Sequence, residues 1–135
     1  MYKNILVPVA LDHDRDVTAA LGVAKALVAD GGSITALTVV ETVPAYVLAE
    51  IPENTIAQNT NDAVTALKER IGSADGVKTV AVSGHSARTI LDYAEGHDVD
   101  CIVIASHQPG LQDYFLGSTA ARVVRHAPCA VHVVR

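Results

Sequence analysis

Five short runs of aliphatic and β-branched residues punctuate this chain: Lys3–Val9, Ser33–Val40, Val77–Val82, Cys101–Ala105 and Ala130–Val134. They are near-continuous in apolar character rather than alternating. A strand reads that way when it is buried on both faces, as in a parallel sheet sandwiched between helices. The intervening segments carry helical periodicity. From Asp14 to Ala29 the residues Val17, Ala20, Leu21, Ala24, Leu27 and Val28 share one face, and Gly31-Gly32 is expected to stop that helix. From Thr55 to Ile71 the residues Ile56, Ala63, Val64, Leu67 and Ile71 recur at the same spacing. Ser86 is a candidate N-cap for a third helix carrying Ile90, Leu91 and Ala94. Ser118 to His126 forms a short fourth helix that stops before Pro128. Strand and helix in alternation give βαβ units, hence a mostly parallel sheet with helices on both faces. Right-handed crossovers leave few ways to connect it.

The 135 residues suit a single α/β domain over 1–135, with no internal repeat and no linker composition. Half of them are hydrophobic, enough for an aliphatic core. A formal charge of −5 argues against the clustered Lys and Arg of a nucleic-acid interface. The small basic group Arg122, Arg125 and His126 reads as a solvated helix face. No stretch has the length and apolarity to span a bilayer, and the chain opens into a strand rather than a secretory leader, so a soluble cytoplasmic protein is expected. Cys101 and Cys129 sit among apolar residues at strand starts, where free buried thiols are the default.

The loop from Ala105 to Thr119, read "ASHQPGLQDYFLGST", carries the main functional signal. It leaves a strand and enters a helix through Gly117-Ser118-Thr119. A helix N-terminus offers unpaired N–H groups and the positive end of the macrodipole. Gly117 would let a phosphate approach the backbone, and the hydroxyls of Ser118 and Thr119 can donate to its oxygens. Ser106, His107 and Gln108 add donors at the end of a parallel strand, where open α/β sheets bind ligands. Gly-Ser-Thr is equally an ordinary capping sequence, so phosphate loop and plain helix cap both stand on the residues alone. Neither Gly-x4-Gly-Lys-[Ser/Thr] nor Gly-x-Gly-x-x-Gly after the first strand occurs. Gly84 and Ser86 suit a turn and a cap. The segment Glu41 to Asn54, with Pro44, Tyr46 and Pro52, follows the second strand and reads either as a flap over such a site or as a connecting loop.

Catalytic and metal signals are thin. Asp12, His13, Asp14 and Asp16 are close together after the first strand, but metal ligands usually converge from several segments, and the cluster suits a solvated helix start. A metal-dependent hydrolase resting on that cluster is the weakest of three readings. No Ser/His/Asp arrangement surrounds His107; His85, His97, His126 and His132 read as isolated surface or strand residues. No catalytic residue and no protein-held metal site is assigned.

Three stretches together resemble the universal stress protein family over essentially the whole chain. "YKNILVPV" is similar to its first strand, "GHSARTILDYAEGHDVDCIVIASH" to its third-helix and fourth-strand region, and "FLGSTAARVVRHAPCAVHVVR" to its C-terminal signature. The resemblance implies an open five-stranded parallel sheet of Rossmann-like, adenine nucleotide alpha hydrolase-like type. It also implies a homodimer paired antiparallel through the last strand, Val131, His132, Val133 and Val134. An aliphatic edge strand needs covering, which agrees. One branch of the family binds ATP through Gly-x2-Gly-x9-Gly-[Ser/Thr]. Here Ala105 and Gln108 stand at the first two glycines, and the arm to Gly117 is one residue short. The loop is closer to that of the small F/G-type members, which the family likeness places with the adenine-nucleotide binders.

Carried over residue by residue, that likeness implies a site for ATP, ADP or AMP, with Mg2+ where ATP is bound. Pro8, Val9 and Ala10 would face the adenosine, and Val39 would offer main-chain groups to the adenine edge. Ala105, Ser106, His107 and Gln108 would line ribose and phosphates, and Gly117, Ser118 and Thr119 would hold the phosphate tail. Ala10 departs from the aspartate usual at that position. Losing one charge-assisted hydrogen bond costs about 1.5–3 kcal/mol of binding, unless Asp12 reaches inward. The expected function is an adenine-nucleotide-binding regulatory dimer of the stress response, at most a slow ATPase, acting on a regulatory protein partner the sequence does not name. The alternative is a nucleotide-free dimer that uses the same fold to bind proteins.

Overall fold

The computed structural model describes residues 1–11, 17–41, 55–72, 76–106 and 117–135. Five strands appear in chain order: β1 (Tyr2–Pro8), β2 (Val28–Glu41), β3 (Val77–Gly84), β4 (Cys101–Ala105) and β5 (Ala130–Val134). The helices are α1 (Thr18–Leu27), α2 (Thr55–Ile71), α3 (Ser86–Gly96) and α4 (Ser118–His126). All strand pairs are parallel, in the order β3-β2-β1-β4-β5. The expected five-stranded α/β sheet is therefore the one observed, with β5 at an edge.

The unbroken apolar runs find their reason in the two cores. Ile5 and Val7 of β1 join Cys101 and Val103 of β4 on the face covered by Ala20, Leu21 and Ala24 of α1 and Leu67 of α2. Leu6 of β1 joins Ile102 and Ile104 on the opposite face, under Ala87, Ile90 and Ala94 of α3 and Ala120 and Val123 of α4. Successive residues serve opposite layers, so a polar side chain there must find a hydrogen-bond partner inside the core, and apolar residues predominate. Ile5, Leu6, Ile102 and Val103 are wholly inaccessible to solvent. Each such side chain contributes roughly 1.5–3 kcal/mol of burial free energy.

Two local expectations are corrected. The first helix ends at Leu27, and Gly31-Gly32 lies inside β2 rather than serving as a helix stop. The β1–β2 register jumps between Tyr2↔Val28 and Asn4↔Ser33, and the two glycines occupy that bulge. Gly31 has a φ of +78°, and a Cβ on Gly32 would lie 3.0 Å from the Lys3 carbonyl oxygen, so both positions favour glycine for backbone reasons. Ser86 is the first helical residue of α3, not its N-cap. His85 holds the cap position in extended conformation without a side-chain cap bond.

The end of the sheet that carries this bulge is closed by a side-chain clasp. The Asp100 carboxylate accepts the Lys3 N–H (2.9 Å) and the Asn4 N–H (3.0 Å), and the Asn4 amide donates to the His97 carbonyl (2.6 Å). This fixes β1 against β4 at their N-terminal ends and leaves their C-terminal ends free to diverge.

Candidate functional site

The strand order decides where a site can form. From central β1 the chain first winds outward through β2 and β3, then returns to the other flank through β4 and β5. Connections beyond β1 and β4 thus run to opposite sides, and a crevice opens at their C-terminal ends. A cavity of about 450 Å³ occupies that position. Of the sequence-predicted site residues, Pro8, Val9, Ala10, Val39, Ala105, Ser106, Gly117, Ser118 and Thr119 all line it. His107 and Gln108 lie outside the described residues, as do the Asp12 to Asp16 cluster and residues 42–54 of the segment read as a flap or loop.

One end of the cavity is built from a helix start. Gly117 is the N-cap of α4, extended at φ −61°, ψ 155°, and makes no side-chain capping bond. Its N–H donates to the hydroxyl of Ser106 (3.0 Å), which ties α4 to the end of β4. Ser106 is itself buried, 4% exposed, and its own N–H donates to the Val134 carbonyl (2.9 Å). The intrahelical ladder begins with the Ala121 N–H on the Gly117 carbonyl (2.8 Å). That leaves the N–H groups of Ser118, Thr119 and Ala120 without intrahelical acceptors, on three residues that line the cavity. With roughly half a positive charge from the helix dipole, this end suits an anion. The Ser106 hydroxyl accepts from Gly117, so its hydrogen remains available as a donor.

The other end is a strand edge. Val9 N–H donates to the Leu37 carbonyl (2.8 Å), so the main-chain groups of Leu37 point toward β1. Main-chain direction alternates along a strand, so the N–H and C=O of Val39 point the same way. Register with β1 stops at Pro8↔Leu37, whereas β2 continues beside β3 to Glu41↔Gly84. Val39 therefore presents one donor and one acceptor to the crevice rather than to a neighbouring strand. Apolar side chains such as Val9, Leu37 and Ile90 line the space between the two ends. This combination accepts a flat heterocycle at one end and an anionic group at the other.

No other chemistry is assembled among the described residues. No group of three or more His, Cys, Asp or Glu there could hold a metal ion. His85, His97, His126 and His132 are exposed, and His97 stacks on Tyr93 with ring centroids 3.8 Å apart. Cys101 and Cys129 are free thiols. Burial, with lesser contributions from Cys129 and Asp100, pushes Cys101 from 9.0 up to about 11; burial and then Asp100 push Cys129 up as well. Neither is an activated nucleophile. Arg122, Arg125 and His126 are exposed on α4, in keeping with a solvated face. No described helix is long and apolar enough to cross a membrane.

The universal stress protein family model matches residues 1–135. The chain belongs to that family. It is 29% identical over 144 residues to the universal stress protein of Methanothermobacter thermautotrophicus, a match covering 100% of this chain and 97% of the relative. Universal stress protein UspA from Lactobacillus plantarum superposes with a TM-score of 0.67 at 34% identity, covering 99% of this chain and 98% of its own. The universal stress protein of Archaeoglobus fulgidus, solved in complex with dAMP, superposes with a TM-score of 0.59 at 19% identity, covering 99% and 98%. At that identity the likeness is one of fold.

Three residues of this universal stress protein that matter to the cavity escape sequence reasoning. Glu41 lines it, and its Oε1 accepts the Ser86 hydroxyl at 2.6 Å. The hydroxyl read as a helix cap thus serves a residue 45 positions away, which no local pattern announces. Arg70, in the last turn of α2, donates from Nη1 to the Ala10 carbonyl (3.4 Å) and from Nη2 to the Leu11 carbonyl (3.3 Å). It steadies the chain just after β1, where Ala10 offers no side-chain group of its own. Ala63 and Leu67 were legible as part of a helical face, but nothing in the pattern placed Ala63 on the cavity wall or singled out Arg70.

Proposed function

We propose that this universal stress protein binds an adenine nucleotide in the crevice between β1 and β4, with the base against Val39 and the phosphate at the start of α4. The observation that supports the reading is the first turn of α4, whose N–H groups have no capping partner among the described residues and belong to residues lining the same cavity as the β2 edge at Val39. Adenine presents an acceptor at N1 beside a donor at its 6-amino group, the complement of one backbone N–H and C=O. The dAMP complex of the A. fulgidus family member supports the choice of adenine mononucleotides as the first ligands to test. The family resemblance extends the proposal to ATP and ADP, with Mg2+ carried on the phosphates rather than by protein ligands, and to slow ATP turnover measured as phosphate release. His107 and Gln108, from the shortened F/G-type loop, complete the phosphate end in this reading.

The same proposal makes the protein a cytoplasmic dimer joined through Val131 to Val134 of β5, whose nucleotide state a regulatory partner reads during stress. A nucleotide-free interaction module is the second reading. Ala10 favours it, because the wall it forms offers no carboxylate to a ribose or base.

Mass spectrometry of the purified protein, native and then denatured, tests the choice by detecting retained ATP, ADP or AMP. Calorimetric titration with each nucleotide, with and without Mg2+, then gives the affinity. Gly117→Val supplies the control. Among the described residues a Cβ there meets nothing nearer than the Ser106 hydroxyl at 4.0 Å, and the φ is ordinary, so the fold is expected to tolerate it while the side chain occupies the phosphate approach. Absence of any retained nucleotide, together with no heat at millimolar ligand, would overturn the nucleotide reading.

A further inference from the structure

The cavity is electrically polarised, and its negative pole has no role in the reading above. Among the described residues that line it, Glu41 is the one charged side chain. It lies two residues beyond Val39 on β2, so the two side chains project from the same face of the sheet, the face covered by α3. Ser86, from the first turn of α3, donates its hydroxyl to Oε1 at 2.6 Å and thereby orients the carboxylate. Among the described residues the nearest basic side chain is His85, whose Nδ1 is 4.0 Å from Oε2, beyond hydrogen-bonding distance. A carboxylate has about four acceptor sites. One is occupied by Ser86, and no described residue donates to Oε2 within hydrogen-bonding distance.

The geometry points to Glu41 as a base-specificity residue that favours 6-aminopurines over 6-oxopurines. This inference rests on the nucleotide-binding reading. With the base against the Val39 main chain, the 6-amino group carries two hydrogens and the Val39 carbonyl uses one. The Glu41 carboxylate, held on the same wall, accepts the other. A 6-oxopurine puts a carbonyl oxygen in that place and sets acceptor against anion, which is the kind of mismatch that yields strong discrimination. Ser86 acts as the positioning residue, because an unpinned carboxylate two-thirds exposed would turn to solvent. The pole at Glu41 and the pole at α4 also fix direction: a bound nucleotide has its phosphate at the helix and its amino edge at β2.

The test compares AMP with IMP, which differ only at position 6 and the adjacent N1, by calorimetry on wild type, Glu41→Gln and Ser86→Ala. Wild type is expected to prefer AMP. In Glu41→Gln the preference falls by about tenfold, the low end for a charge-assisted bond because the carboxylate is largely exposed. IMP gains, since the amide can donate to its oxygen. In Ser86→Ala the preference falls by a smaller factor, with AMP affected more than IMP. Thermal midpoints within the error of wild type separate specificity from fold, because a purely structural role would weaken both ligands alike. An AMP-to-IMP ratio unchanged in Glu41→Gln overturns the role of Glu41 and leaves nucleotide binding standing. No binding of either ligand to wild type overturns both.

Discussion

Replacing Ser106 by alanine separates the architecture of the cavity from its chemistry more sharply than any other single change. The hydroxyl accepts the Gly117 N–H at 3.0 Å in a partly buried setting, and Ser106 is 4% exposed. Deleting it strands a half-buried amide, which costs about 1–2 kcal/mol rather than the smaller net value of an exposed hydrogen bond. For a chain of 135 residues each kcal/mol corresponds to roughly 3–5 °C, so calorimetry should register a fall of about 3–8 °C. The Ser106→Ala protein also loses a hydroxyl donor aimed at the anion end, a charge-assisted bond worth about 1.5–3 kcal/mol. Partial compensation comes from the Gly117 amide, which is released to face the ligand. The expected net result is an AMP dissociation constant raised about tenfold, measured by titration calorimetry well below the melting range. A normal dissociation constant in a protein that has lost the full thermal shift would refute the assignment of the phosphate to α4, because Ser106 would then be only a strut.

The comparison variant is Asp100→Asn at the far end of the sheet. An amide presents one oxygen where the carboxylate serves two N–H donors, so urea unfolding should show a loss of about 1–2 kcal/mol with AMP affinity within twofold of wild type. Gly84→Ala should cost about 2–4 kcal/mol: its φ is +154° and a Cβ would collide with the Thr89 hydroxyl, which sits close to its own backbone. Alkaline pH should weaken the fold. Cys101 has a folded value of about 11 against 9.0, so its contribution is intact below pH 9 and is lost as pH rises from 9 toward 11. Urea midpoints across that range check the sign, and a rising midpoint would contradict it. For the dimer, Val133→Pro is the selective probe. The Val134 carbonyl accepts the Ser106 N–H, so Val134 faces β4 and the Val133 N–H points out from the sheet edge. Proline there removes an outward donor and trims a side chain that packs on the second core; if the proposed dimer forms through β5, sedimentation should show it becoming a monomer, with circular dichroism and a thermal midpoint recording the packing loss separately.

What could be read from the residues, and what could not, divides along a physical line. Sheet membership was legible because two-faced burial forces an unbroken apolar run, and β4, Cys101–Ala105, and β5, Ala130–Val134, have the bounds expected of them. The helix start beside the cavity was legible because Gly117-Ser118-Thr119 is a local arrangement, complete within one turn. The Gly31-Gly32 pair misled because glycine marks a backbone need without naming it, and a helix stop and a β-bulge ask for the same residue. Ser86 misled for a related reason: its hydroxyl is suited to capping, yet the partner it found is Glu41, brought near only when β2 and α3 pack. Arg70 was illegible altogether, since its acceptors are carbonyls of Ala10 and Leu11, and a carbonyl carries no residue identity.

That division has a consequence for how the cavity can work. Beside the hydroxyls of residues such as Ser106 and Ser118, part of its polar capacity resides in main-chain groups: the amides of Ser118 to Ala120 at one end and the edge of Val39 at the other. Such groups are fixed by the helix and the sheet, so they incur little side-chain entropy on binding, and substitution removes them only by altering the backbone. Affinity in a site of this kind should tolerate sequence drift, and the crevice is indeed present with Ala105 and Ala10 in its lining. Selectivity does not share that protection. It falls to the few side chains that meet the ligand directly, and among the described lining residues the charged one is Glu41. A change at Glu41 should therefore alter which base is chosen before it alters whether a nucleotide is held, whereas a change at Gly117 should do the reverse.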